Sequence, residues 1–135
     1  MKNYIYAESH FNFLDKIVKN RREKFFNIIK SKVSFKNINS YLDIGTTQDE
    51  NYPSSNYLNK KFNFIKKHNS VSDQKIHNKR FSNTLQKSIT ENFSKSMIST
   101  FKSDFVISNA TIEHVGSCGN QKKMIDNMIK LSNNI

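Results

Sequence analysis

The sequence is poor in the residues that staple, break or sharply bend a chain. Its one cysteine, Cys118, can form neither an intrachain disulfide nor a clustered thiolate metal site, so a reducing compartment fits and the expected location is cytoplasmic. Proline occurs only at Pro53, and glycine only at Gly45, Gly116 and Gly119. No apolar run approaches the roughly 18 residues of a membrane span, and the start, Met1 to His10, lacks the apolar centre of a signal peptide. There are no internal repeats, no zinc-finger spacing, no Gly-rich hairpin and no aromatic strand of the RNA-binding kind.

Acidic residues are half as numerous as basic ones, 11 against 22, which leaves a net charge of +11. Such an excess invites a nucleic-acid or anionic-membrane reading, because clustered basic side chains supply most sequence-independent phosphate affinity. Only Arg21, Arg22 and Arg80 are arginines, however, and the rest of the excess is lysine amid heavy use of asparagine, isoleucine and serine. That composition is what an A/T-rich coding bias produces, so a solvated basic surface is favoured. A noncatalytic basic module that binds nucleic acid stays as the alternative. A length of 135 residues suffices for one domain with a real core and leaves no room for a second.

What is present is an alternation of helical and strand-like segments. Phe11, Leu14, Ile17, Val18, Phe25, Ile28 and Ile29 recur near helical spacing and predict an amphipathic helix over residues 9–32, with Ser9 as its N-cap. Tyr41, Leu42 and Ile44 predict a first strand. Pro53 to Asn56 reads as a loop with a helical cap, after which Tyr57, Leu58 and Phe62 pack a short helix. A second strand is expected over Phe64 to Val71, a third over Lys87 to Phe93 and a fourth over Phe105 to Ser108. A closing helix begins at Gly119 and Asn120 and carries Met124, Ile125, Met128 and Ile129 on one face. Strand and helix in alternation imply right-handed crossovers and an open, mainly parallel α/β sheet with flanking helices. Its ligand crevice belongs at the carboxyl ends of strands one and four.

Two segments supply the chemistry: Tyr41-Leu-Asp-Ile-Gly-Thr-Thr-Gln-Asp-Glu50 and Ser103-Asp-Phe-Val-Ile-Ser-Asn-Ala-Thr-Ile-Glu-His-Val115. Each is an apolar run that ends in small and polar residues. Their order and spacing resemble the first and fourth strands of class I S-adenosylmethionine-dependent methyltransferases, with a Rossmann-like fold. The wording Leu-Asp-Ile-Gly-Thr-Thr with Pro53-Ser-Ser-Asn56, and Ile-Glu-His-Val-Gly-Ser117 with Gln121, is similar to a bacterial subgroup of small methyltransferases. The resemblance spans residues 41–131, which it implies to be the cofactor-binding α/β half.

By that resemblance the cofactor is S-adenosylmethionine. Asp43, Gly45 and Thr46 form the turn that passes beneath it, although the family's three-glycine pattern is reduced here to Gly45. Asp73, 28 positions after Gly45, stands where the family places an acidic residue on the ribose hydroxyls. Glu91, 13 residues ahead of Asp104, stands near the adenine position with Asn92 beside it. Asn109 opens the segment lining the transfer pocket, in which His114 is the implied general base and Glu113 either orients it or caps the cofactor loop. Each position also has a plainer reading: Asp43 caps a turn, Asp73 sits in a surface turn, Glu91 ends a strand, and His114 makes a structural hydrogen bond.

The implied acceptor is a small molecule, lipid or glycan hydroxyl rather than nucleic acid. No metal is implied. The resemblance also implies three more strands after Leu131, so the expected fold is incomplete on its C-terminal side. Strand four then has an open edge, a dimer or second chain completes the sheet, and the fragment on its own is inactive.

Overall fold

The computed structural model describes the backbone of residues 8–133 and side chains from Phe13 onward. Helix α1 spans Glu8–Lys32, strand β1 Ser40–Ile44, helix α2 Tyr57–Lys61, strand β2 Lys67–Ser72 and strand β3 Asn83–Gln86. Helix α3 follows at Lys95–Phe101, strand β4 at Phe105–Ser108, a 3-10 turn at Ile112–His114 and helix α4 at Cys118–Lys130. The four strands form one sheet in the order β3-β2-β1-β4, and every pairing is parallel. This is an open, all-parallel α/β sheet flanked by helices, consistent with a Rossmann-like arrangement.

Strand alternation divides the core between two faces. From β1, Tyr41 faces Phe26 of α1, Tyr57, Leu58 and Phe62 of the α2 region, and Ile107 of β4. The neighbouring Leu42 and Ile44 face Val71, Ile89, Phe101, Met124 and Leu131 on the other side. The first face is aromatic: Phe62 meets Phe26 edge-on at 5.1 Å between centroids and Phe105 at 5.2 Å. Within it the Tyr41 hydroxyl is buried and has no hydrogen-bond partner among the described residues.

Asp104 holds the amino ends of the two central strands together. Its carboxylate accepts from the Asn39 and Ser40 amides, both at 3.0 Å, and its own amide donates to Ser40 Oγ at 2.8 Å. The chain leaving α4 then returns to the same place. Ser103 and Ser132 form a parallel bridge, and the Asn133 side chain donates to Asp104 Oδ1 at 2.9 Å.

Several expectations are corrected. The third strand lies at Asn83–Gln86 and not over Lys87 to Phe93. The Lys87 amide closes the ladder on Ser72 O, and the chain then turns, with the Glu91 amide on Ser88 O. A strand reading Asn-Thr-Leu-Gln carries one apolar residue, so hydrophobic alternation does not reveal it. Its Asn83 side chain is held by buried Asn69, which also donates to Ser103 Oγ. Helix α3, absent from the sequence reading, starts at Ser94, whose hydroxyl accepts from the Met97 amide.

Strand β2 starts at Lys67, after the exposed Phe64. In α4, capped by Ser117, Met124 and Asn127 point inward while Ile125 and Ile129 remain exposed. Ser9 lies inside α1 rather than capping it. On α1 it is Phe26 that is buried, whereas Leu14, Val18, Phe25 and Ile28 are exposed; the Phe11 side chain lies outside the described residues. Among the described residues no helix is long and apolar enough to cross a membrane.

Candidate functional site

The carboxyl ends of β1 and β4, with the crossovers leaving in opposite directions, create the crevice that an open parallel sheet offers to ligands. A cavity of about 390 Å³ lies there. Its floor is Ile44, Gly45 and Thr46 from the end of β1. Val71 to Gln74 from the end of β2 and Lys87 to Thr90 after β3 supply one side, and Ala110, Thr111, His114 and Val115 after β4 supply the other. The size is in the range of small-ligand sites.

Gly45 makes the turn at the floor. Its φ of +86° lies in the region that glycine enters without penalty, and its amide donates to Val71 O at 2.9 Å. A Cβ at this position would overlap Thr111 Oγ1 and stand 2.8 Å from Thr111 Cγ2. Thr111 Oγ1 in turn donates to Ile44 O at 3.2 Å, so the loops after β1 and β4 are in direct contact. Ala110 just before it also has a positive φ, of +58°.

Thr46 is locked by hydroxyls from β2. Ser70 Oγ donates to Thr46 Oγ1 at 2.8 Å and Ser72 Oγ donates to Thr46 O at 2.7 Å, and all three residues are buried. Thr47 is held from the far side by Asn56, whose Oδ1 accepts from the Thr47 amide while its Nδ2 donates to Thr47 O at 2.8 Å. Asn56, expected as a helical cap, sits at the cap position of α2 with φ +49° and makes no side-chain cap bond. Its amide is spent on the β1 loop instead.

Asp43 faces away from this cavity, toward α1, as alternation along β1 requires. It borders a second depression of about 220 Å³ with Arg22, Ser54, Asn56 and Asn109, which meets the first at Gly45 and Ala110. Burial pushes the Asp43 carboxyl up to about 6, while a hydrogen bond from Thr46 and the Arg22 charge oppose that rise. Burial likewise lowers Arg22 against the opposing charges of Asp15 and Asp43. The Arg22 guanidinium donates to Ser54 O, and the Ser54 amide donates to Asp15 Oδ1, so α1 is pinned to the loop before α2 through polar groups.

The structure gathers Gly45, Thr46, Asp73 and His114 around the main cavity. Asp73 and His114 are exposed at its rim. Glu91 and Asn92 lie outside the lining. Glu91 pairs with Lys87 at 2.7 Å, and this hydrogen bond and charge lower its carboxyl, while its carbonyl accepts from Asn127. Asn109 borders the second depression, and with Glu113 it lines a cleft of about 450 Å³ against α1.

Ser88, Ile89 and Thr90 are lining residues that sequence reasoning did not single out. The signal that points to them is the apolar Ile89 between two hydroxyl residues just upstream of Glu91. Among the described residues no group of three or more His, Cys, Asp or Glu side chains is placed to hold a metal ion. No protein-family model, no curated protein and no solved structure matches the chain.

Proposed function

We propose that the chain is a class I S-adenosylmethionine-dependent methyltransferase domain. The observation that carries this reading is the cavity at the carboxyl ends of the strands, in which Gly45, Asp73, the Ser88 to Thr90 segment and His114 converge. The strand order β3-β2-β1-β4, all parallel, supports it by placing the topological switch beside that cavity. The lining fits an adenosyl amino acid: a glycine turn closed by Thr111 beneath the chain, a carboxylate at the end of β2 for vicinal hydroxyls, and Ile89 between two hydroxyl residues for a base.

In this reading Asp73 accepts hydrogen bonds from the ribose, and the Gly45 to Thr46 backbone faces the amino-acid part. Ser88 to Thr90 take the adenine side in place of Glu91 and Asn92. When bound, the cofactor supplies an electrophilic methyl group on a sulfonium. His114 takes the proton from the attacking hydroxyl of a small-molecule, lipid or glycan acceptor. Asp43 acts from below by holding Thr46, and Asn109 and Glu113 border the acceptor side. In this reading a further strand, from this polypeptide or a second one, adds along Phe105–Ser108, and the parallel bridge between Ser103 and Ser132 supports it.

Thermal unfolding with and without S-adenosylhomocysteine tests the proposal. The expected result is a cooperative transition that rises with ligand in the natural chain and rises clearly less, at the same ligand concentration, in Asp73→Ala. A cooperative melt that saturating ligand leaves unmoved removes the methyltransferase reading.

A further inference from the structure

Among the described residues, more than half of the large apolar side chains left exposed sit on α1. Leu14, Val18, Phe25 and Ile28 follow one another at spacings of four, seven and three residues, which puts them on one stripe of the helix. Ile28 is 59% exposed and Leu14 52%, so this stripe is not the face that packs on the sheet; that face carries Phe26. Charge on the stripe has one sign. Arg21 stands between Val18 and Phe25, and Lys24 and Lys32 flank it, all exposed. The acidic residues of this part of the helix are turned to the body of the protein: Asp15 accepts from the Ser54 amide and Glu23 pairs with Lys61 at 3.0 Å.

We propose that this stripe seats the protein on an anionic lipid surface, with α1 lying in the plane of the headgroups. An apolar ridge edged by arginine and lysine is what such a surface selects: the apolar side chains enter the acyl boundary while the long basic ones reach back to phosphate. Nucleic acid would leave the ridge uncovered. A second copy of a chain with net charge +11 would bring Arg21, Lys24 and Lys32 against their like. The cleft of about 450 Å³ opens on the same side. Val18, Arg21 and Phe25 form one wall, and Asn109, Ala110 and Glu113 form the other. The inference does not depend on the methyl-transfer reading.

Co-sedimentation of the full chain with vesicles of phosphatidylcholine alone, and with vesicles of equal parts phosphatidylcholine and phosphatidylglycerol, tests it. Binding is expected to the anionic vesicles and to weaken with salt. The combined variant Leu14→Ser, Val18→Ser, Ile28→Ser is expected to lose about tenfold or more in partition while keeping its circular dichroism spectrum. Because the chain has no tryptophan, Phe25→Trp supplies a single reporter whose emission shifts to the blue on the anionic vesicles. Absence of binding to those vesicles overturns the proposal, and so does binding that the serine variant retains in full. Light scattering that finds the natural chain a dimer and the serine variant a monomer also overturns it, by assigning the stripe to a second copy.

Discussion

Thr111 fills the space where a side chain on Gly45 would begin. The two residues come from the loops after β4 and β1, and their contact sets the height of the cavity floor.

Replacing that glycine is therefore expected to be costly twice, once for the positive φ and once for the overlap. Gly45→Ala should lose at least about 2 kcal/mol of stability in urea unfolding. Adding Thr111→Gly should return part of the loss, because the overlap goes and the φ penalty stays. A Gly45→Ala midpoint indistinguishable from the natural one would count against this account of the floor.

Tyr41 offers the opposite case. Its hydroxyl is buried without a partner, so Tyr41→Phe removes a desolvated polar group and should be neutral or stabilising by about 1 kcal/mol. Burial raises the Tyr41 phenol well above its ordinary value, with Asp43 adding to the effect. A loss of more than about 1 kcal/mol would reveal a partner for the hydroxyl.

Asp43 gives the chain an unusual pH dependence. Its carboxyl is raised from the ordinary 3.8 to about 6 in the folded state, so folding favours the protonated form. Its contribution to stability is greatest below about pH 4, declines as pH rises toward about 6 and is level above that. The full change is on the order of 3 kcal/mol. Asp43→Asn should abolish this part of the profile. The difference between natural and variant urea midpoints, measured from pH 4 to pH 7, should therefore slope; a flat difference rejects the assignment.

Asp104 runs the other way. Hydrogen bonds, first from Asn133 and then from Asn39 and Ser40, lower its carboxyl, and their stabilisation is present above its unfolded value and lost as pH falls through the folded one. Asp104→Ala should cost about 2 kcal/mol near neutral pH, with the loss shrinking in acid.

For ligand binding, the rim carboxylates should separate cleanly. Asp73→Ala is expected to weaken S-adenosylhomocysteine binding by roughly tenfold or more with little change in melting temperature, since Asp73 is exposed and among the described residues its carboxylate meets only Ser72, at 3.5 Å. Glu91→Gln should change affinity far less, because the Glu91 carboxylate lies outside the lining and reaches it only through its partner Lys87. Titration calorimetry on both variants separates the spacing-derived position that the fold brings to the cavity, Asp73, from the one it leaves outside, Glu91.

How far the sequence could be read depended on burial. Strands β1 and β4 announce themselves through apolar residues: Tyr41, Leu42 and Ile44 are buried in β1, and Ile107 is buried in β4 between half-buried neighbours. The edge strand β3 satisfies its backbone with Leu85 as its one apolar side chain, half-buried like Asn83, and α3 depends on the Ser94 cap and Phe101, so neither leaves a periodic trace. Gly45 and Asp73 could be found from their place at strand ends. Asp43 could be found too, but its face could not be assigned until the register of β1 was known. The side of the cavity formed by Ser88 to Thr90 depends on where β3 stops, and the sequence placed that strand too late. The stripe on α1 shows a related limit: helical spacing marks an apolar face without saying what covers it, and Leu14, Val18, Phe25 and Ile28 are exposed.

The hydroxyl contacts of Ser70 and Ser72 with Thr46 replace what additional glycines do in a more flexible loop. A glycine-rich turn wraps a guest by being free to move, and it loses that freedom on contact. Here the turn is fastened beforehand to the neighbouring strand, so the hollow above it keeps its contour whether or not it holds a guest. A molecule of matching outline meets a finished mould and gives up little motion in the protein to settle there; one of slightly different outline finds nothing that yields.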